Sequence, residues 1–472
     1  MKKFAVFCLL SLALFLPQGV FAYTTNMSAS VVIGQPDFTS SSTGLTASTL
    51  NLGIGSLASD GRRLIVADAS NNRVLIWNTI PTTNGVAADV VVGQADFTSG
   101  SVNQGGSTGP NTLNNPFGVE TDGTRLFIAD KSNARVLIFN RIPTSNNASA
   151  DLVIGQTDFT TTTAAISQTK LTFPSNISYD SASGKLLILD QLSNSTNGGG
   201  RILIYNTVPN TNGAAADVVV GQPDFTSGSA VCSAATASTI CPQIGKVRIL
   251  DRKLVLPDFN NNRVLIWNSV PTVNGASADV VIGQPNMTSG AINQGGSIAA
   301  NNMRGPVDAL FDGRRLFISD SVNDSRVLIY NSGIPSSNNA TADVVIGQPN
   351  LTSVGTNQGG NAAANTLSRP RTMALVDNKL IVSDSGANNR ILIYTNLVRG
   401  PGLSLAGSPT RQYDNIFRQF GTAISDPLYV IHSVEYSVNG GSFSSAVPTD
   451  GTFDGTREDF HLDFDPSSGG TM

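Results

Sequence analysis

Histidine is almost missing from this chain. Its 472 residues hold two, His432 and His461, both beyond the repeated region described below. Glutamate is nearly as scarce, with Glu120 the only one between Tyr23 and Leu397. That stretch therefore offers no His/Cys cluster, no Ser-His-Asp set and no phosphate-cradling glycine loop, so no catalytic residue, metal or cofactor is expected. Charged residues are only 13% of the chain, and the net charge is −4. Basic and acidic side chains nearly balance up to Leu397, and the acidic excess follows Val398. The basic footprint of a nucleic-acid binder is lacking.

Long apolar runs are lacking too, apart from Ala5 to Leu16 at the start. Lys2 and Lys3 precede that run, and Pro17 and Val20-Phe21-Ala22 follow it, the pattern of a signal peptide over 1–22 cut after Ala22. The run is too short to span a bilayer comfortably, so no membrane span is expected in the mature chain. The protein is expected to be secreted or held at the cell surface or in the periplasm. Of three cysteines, Cys8 leaves with the signal peptide. Cys232 and Cys241 are then expected to pair, because an exported chain favours a disulfide and two thiols without a nearby histidine make a poor metal site.

What the chain has in quantity is a repeat. Asp-Gly, an apolar run ending in Asp, and Asn-Arg-Val-Leu-Ile-Trp-Asn recur six times, with the arginine at Arg73, Arg135, Arg201, Arg263, Arg326 and Arg390. The steps are 62, 66, 62, 63 and 64 residues. Such a period marks a repeat architecture. Each copy reads as four short strands separated by Asp-Gly and Asn-Gly turns, which accept the positive φ of tight hairpins. The strands are apolar without polar alternation, as in sheets covered on both faces. Four-stranded sheets stacked face to face around an axis meet that requirement. The expected fold class is all-β, a six-bladed β-propeller over 23–396.

Asp68-Ala-Ser-Asn-Asn-Arg73-Val-Leu-Ile-Trp77 and its copies resemble NHL repeats, a resemblance that implies a six-bladed propeller. The third copy departs by an insertion over Gln191 to Gly200, and the fourth by Pro257. Six copies of a Val-Val-Ile-Gly-Gln strand end at Gln35, Gln94, Gln156, Gln222, Gln284 and Gln348. The first precedes every blade and none follows Tyr394. Ser28 to Gln35 is therefore expected to supply the outer strand of the last blade, which removes an exposed edge.

Residues common to all copies hold the repeat together, so a particular function must lie in departures. The cassette aspartates are expected to cap N–H groups in their own turns and to face the nearby arginine. On the innermost strands the polar departures are Asn114, Asn115, Glu120, Lys246, Arg248, Arg304, Asp308, Arg369 and Arg371. These are the candidate binding residues, with mutual neutralisation of Glu120 or Asp308 by an arginine as the competing reading. Gln104, Gln294 and Gln358 join them as candidates. They sit in three Asn-Gln-Gly-Gly motifs within blade-to-blade loops, where binding residues are often displayed.

Residues 397–426 read as a linker, and 427–472 as part of a module similar to immunoglobulin or fibronectin sandwiches. The expected function is a non-catalytic binding module, monomeric, that recognises a protein or glycan partner through its loop-rich face. The alternatives are a metal-dependent propeller hydrolase of lactonase type, using Glu120, Asp308 and Asn115, and a structural spacer in a larger surface protein.

Overall fold

A computed structural model describes residues 23–395 except 54, 193–198, 229–231, 233 and 378, and beyond them the backbone of six strands between 402 and 464. The signal peptide expected over 1–22 and most of the insertion after Gln191 lie outside the described residues. No helix among those described is long and apolar enough to cross a membrane.

Six four-stranded antiparallel sheets stand where the repeats predict them. Blade 1 runs Leu57–Ser59, Leu64–Asp68, Arg73–Trp77, Val90–Val92 from inside to outside. Blade 2 uses Pro116–Thr121, Leu126–Asp130, Arg135–Phe139 and Leu152–Ile154. Blades 3 to 5 repeat the order, with inner strands Phe173–Asp180, Arg248–Leu250 and Pro306–Phe311. Blade 6 has only three consecutive strands, Pro370–Val376, Lys379–Asp384 and Arg390–Thr395. Val31–Ile33 completes it, with Val31 opposite Ile393, Val32 opposite Leu392 and Ile33 opposite Ile391. The inner strand of blade 1 packs on those of blades 2 and 6, so the ring is closed.

The cores lie between blades rather than inside one. Ile65, Ala67, Val74 and Ile76 meet Val119, Leu126, Ile128 and Leu137 of blade 2. Leu64, Val66, Leu75 and Trp77 point the other way, onto Ile381, Ile391 and Ile393 of blade 6 with Val31 and Ile33. Period-2 alternation sends successive side chains to opposite faces, and both faces are buried, which is why the strands show no polar alternation. Trp77 and Trp267 are 1% and 2% exposed, and each donates its indole N–H to a backbone carbonyl, Val86 or Ala276. These aromatics are blade-to-blade packing.

The C-terminal residues form a separate unit. Gly402–Arg411, Phe417–Ile424, Arg457–Phe464 and Val447–Pro448 make one antiparallel sheet. The first two strands fall where a linker was expected. Alternating Leu403 and Leu405 among small polar residues is a strand pattern that a loop-like composition hides. Glu435–Tyr436 pairs with Ser444–Ser445, and the Asn439-Gly440-Gly441 segment between them lies outside the described residues, as does most of the module expected over 427–472.

Candidate functional site

The cassette aspartate and arginine are fully buried in every blade. Arg73 Nε donates to Asp68 Oδ2 at 2.7 Å, and its other nitrogens donate to the carbonyls of Thr46, Thr49 and Phe97. Arg135 repeats this with Asp130, Gly109, Thr112 and Phe159. One guanidinium thus ties the linkers entering and leaving its blade, which its planar fork of donors suits. The aspartate does not cap its own turn, contrary to expectation. Its Oδ1 accepts from a backbone N–H some sixteen residues earlier, Asn51 for Asp68 and Asn114 for Asp130. The short turn that follows closes through backbone bonds such as Asn72 N–H to the Ala69 carbonyl, and the carboxylate serves the incoming linker instead.

At the axis the charged departures meet one another. Lys246 of blade 4 is fully buried, with Nζ 3.1 Å from Glu120 Oε2 of blade 2, near enough for an ion pair though not aligned as a hydrogen bond. It also donates to the carbonyls of Val119 and Leu57, reaching blades 2 and 1. Arg248 grips Asp308 of blade 5 with two bonds of 2.8 and 2.9 Å and donates to the Met373 carbonyl of blade 6. Asp308 accepts two further bonds, from the N–H groups of Ala309 and Met373. Asn176 of blade 3 donates to the Gly245 carbonyl. The centre is a cross-braced plug touching all six blades. Burial lowers the Lys246 pKa despite the attraction of Glu120.

Above the plug, Phe117 and Val307, at equivalent positions of blades 2 and 5, cluster with Ile244 of blade 4 and with Ala69. Lys131 lies over the Phe117 ring, Nζ 3.9 Å from its centroid, and burial lowers its pKa to about 8. Sequence reading missed Lys131. The signal was available, since the residue after each cassette aspartate is otherwise Ala69, Gln191, Phe259, Ser321 or Ser385.

In blade 6 the Phe117 position is occupied by Arg371. It is 7% exposed, its Nε donates to Ser385 Oγ at 3.1 Å, and its Nη1 has no hydrogen-bond partner. Burial first, and then the neighbouring Arg369 guanidinium, lower its pKa to about 10. Both arginines line a cavity of about 620 Å³ at the seam of blades 6 and 1, with Thr43, Asn51, Ser368 and Asn389. Gly386 keeps one wall open, since a Cβ there would stand 2.4 Å from Ser368 Oγ and 3.0 Å from Arg369 Cβ. None of the lining residues is acidic.

The remaining candidates are spread elsewhere. Asn114 and Asn115 are half-buried in the linker before blade 2, where their N–H groups donate to Asp130 and to Asn72 Oδ1. Arg304 enters blade 5 in the same way, its N–H on Asp320 and its Nε unpartnered. Gln104 donates to Asn147 Oδ1, Gln294 to Asn339 Oδ1 and Gln358 to Asn26 Oδ1, each at 2.7 Å. These three half-buried glutamines tie loops to the ring's perimeter. Cys232 and Cys241 are joined as a disulfide.

No protein-family model matches the chain, and no curated protein does. Among solved structures it is similar to a putative oxidoreductase (glucose dehydrogenase) of Thermus thermophilus, at 12% identity and a TM-score of 0.38, covering 73% of this chain and 96% of that one. An aldose sugar dehydrogenase of Streptomyces coelicolor, bound to PQQ, matches at 13% identity and a TM-score of 0.32, over 75% and 95% of the two chains. Glutaminyl cyclase of Myxococcus xanthus matches at 10% and 0.30, over 58% and 88%. Likeness at this level carries nothing about activity.

Proposed function

We propose that this chain is an exported propeller of NHL-repeat type that works as a non-catalytic recognition module, binding a protein or glycan partner through the face built from blade-to-blade linkers and second-to-third-strand loops. In this reading residues 1–22 direct export, 23–396 form the binding ring and the C-terminal unit is an immunoglobulin-like neighbour. The observation that carries it is the seam cavity, where two arginines meet without an acid while the charges at the axis satisfy one another. Arg371 is buried without an acidic partner, which is costly, and a ligand that supplies the missing charge gains affinity.

The lactonase alternative needs free carboxylates at the axis. Asp308 holds four hydrogen-bond donors and Glu120 faces Lys246, which favours recognition over metal chemistry. The test pairs a glycan and protein partner screen with metal analysis and a lactone-hydrolysis assay of the purified ring. A partner held by the ring, with no hydrolysis, is the expected outcome. Stoichiometric Ca²⁺ or Zn²⁺, lost together with a hydrolytic activity on Glu120→Gln, would overturn it.

A further inference from the structure

Resting on the recognition reading, we propose that the seam cavity between blades 6 and 1 binds the carboxylate of an acidic sugar, a uronic acid residue of a glycan, through Arg369 and Arg371. Three observations converge on it. First, Arg371 stands at the inner-strand position that Phe117 holds in blade 2 and Val307 in blade 5, so it puts a charge where those two blades bury an apolar side chain. A guanidinium put there without a carboxylate costs stability unless something supplies the charge.

Second, its pairing is incomplete. Only Ser385 Oγ accepts from its Nε, Nη1 has no partner, and the nearest charge is the like-charged Arg369. Every cassette arginine shows the contrast: Arg390, in the same blade, meets Asp384 and three backbone carbonyls. An anion seated between Arg369 and Arg371 would complete the set and offset their repulsion, with the planar fork receiving two carboxylate oxygens.

Third, the rest of the wall is hydroxyl and amide. Thr43, Asn51, Thr356, Ser368 and Asn389 line it, with no aromatic or bulky aliphatic side chain among the lining residues. A peptide anchored by an apolar side chain finds no pocket there, whereas the ring hydroxyls of a sugar find donors and acceptors. At about 620 Å³ the cavity has room for one or two sugar rings. Ser385 and Arg371 come from one blade, while Asn51 and Thr43 come from the linker into blade 1. The site therefore exists only in the closed ring.

The probe is D-glucuronate, titrated by calorimetry into the full-length mature protein, with D-glucose, inorganic phosphate and N-acetylglutamate as controls. Binding of glucuronate with no response to glucose is expected. Arg369→Ala, an exposed position whose loss leaves the fold intact, should weaken it about tenfold or more, the worth of a charge-assisted bond. Arg371→Met should abolish it and leave the melting temperature unchanged or higher. Glucuronate binding that both variants retain would overturn the assignment, and so would phosphate or N-acetylglutamate bound as tightly as glucuronate. Partner capture that survives both variants, without glucuronate binding, would remove the sugar assignment and leave the recognition reading standing. Absence of any partner as well would remove both.

Discussion

Asp324 shows how one departure from the repeat changes a residue's chemistry. Four blades place an asparagine in that turn, Asn71, Asn133, Asn261 and Asn388, and its amide donates to the cassette aspartate. Blade 5 has a carboxyl instead, buried beside Asp320, with Arg326 Nη2 at 3.9 Å and Asn293 as its other neighbour. Burial, and then the Asp320 charge, raise its pKa to about 7. A raised folded pKa means the fold holds the proton more tightly than the unfolded chain. Its stabilising contribution is therefore full below the ordinary value of 3.8 and is lost as pH rises toward and through about 7. Asp324→Asn should melt higher than the parent at pH 8, with the gap closing as pH falls to 4. Equal pH dependence in parent and variant, read by thermal unfolding, would contradict this. At the cassette itself, Arg135→Ala leaves Asp130 buried without its cation and should cost about 3–5 kcal/mol in urea unfolding.

Among elements, the hairpin tips carry more of the ring than their sequence suggests. Each outer strand turns one N–H and one C=O away from its own sheet, and the tip of the next blade takes both. Val91 N–H donates to Asn146 Oδ1 and its carbonyl accepts from Asn147 N–H, and Val32 is held likewise by Asn84 and Gly85. The sixth tip is the N-terminal Thr25 and Asn26 on Val345. The second tip residue is left-handed, with φ of 65° at Gly85 and 58° at Asn147. Where it is asparagine, the preceding linker carries the glutamine that donates to it, as at Gln104, Gln294 and Gln358. Asn26→Gly and Gln358→Ala should therefore not be additive. A double-mutant cycle is expected to give a coupling of about 1 kcal/mol, and zero coupling would remove the pairing.

These elements also show what could be read in advance. Strand order, blade number and the closing role of Val31–Ile33 follow from counting apolar segments, because period and patterning are local properties. Tip latches do not, since Asn26 and Val345 are 319 residues apart and nothing local names the partner. The glutamines stood out as linker residues, but their bonds to Asn26, Asn147 and Asn339 were not legible for the same reason. At the axis, Glu120, Lys246, Arg248 and Asp308 were identifiable as departures, while their partners depended on which side chains cross the centre. The seam cavity was half visible, in Arg369 and Arg371, but Ser385 and Asn389 look like ordinary turn residues.

For the whole molecule, closure is the condition of everything else. The plug ties all six blades at the centre, the tips tie them at the perimeter, and the seam cavity forms where the chain's first and last blades meet. Val31, Val32 and Ile33 are buried in the last blade, and exposing such side chains costs about 1.5–3 kcal/mol each before any ladder bond is counted. The measurement that bears most directly on this is thermal unfolding of residues 23–472 against a variant that also lacks residues 23–36, with a variant lacking 427–472 as the control. The account predicts aggregation or a large fall in melting temperature for the first and a small change for the second. A ring that melts as the parent does without residues 23–36 would contradict it.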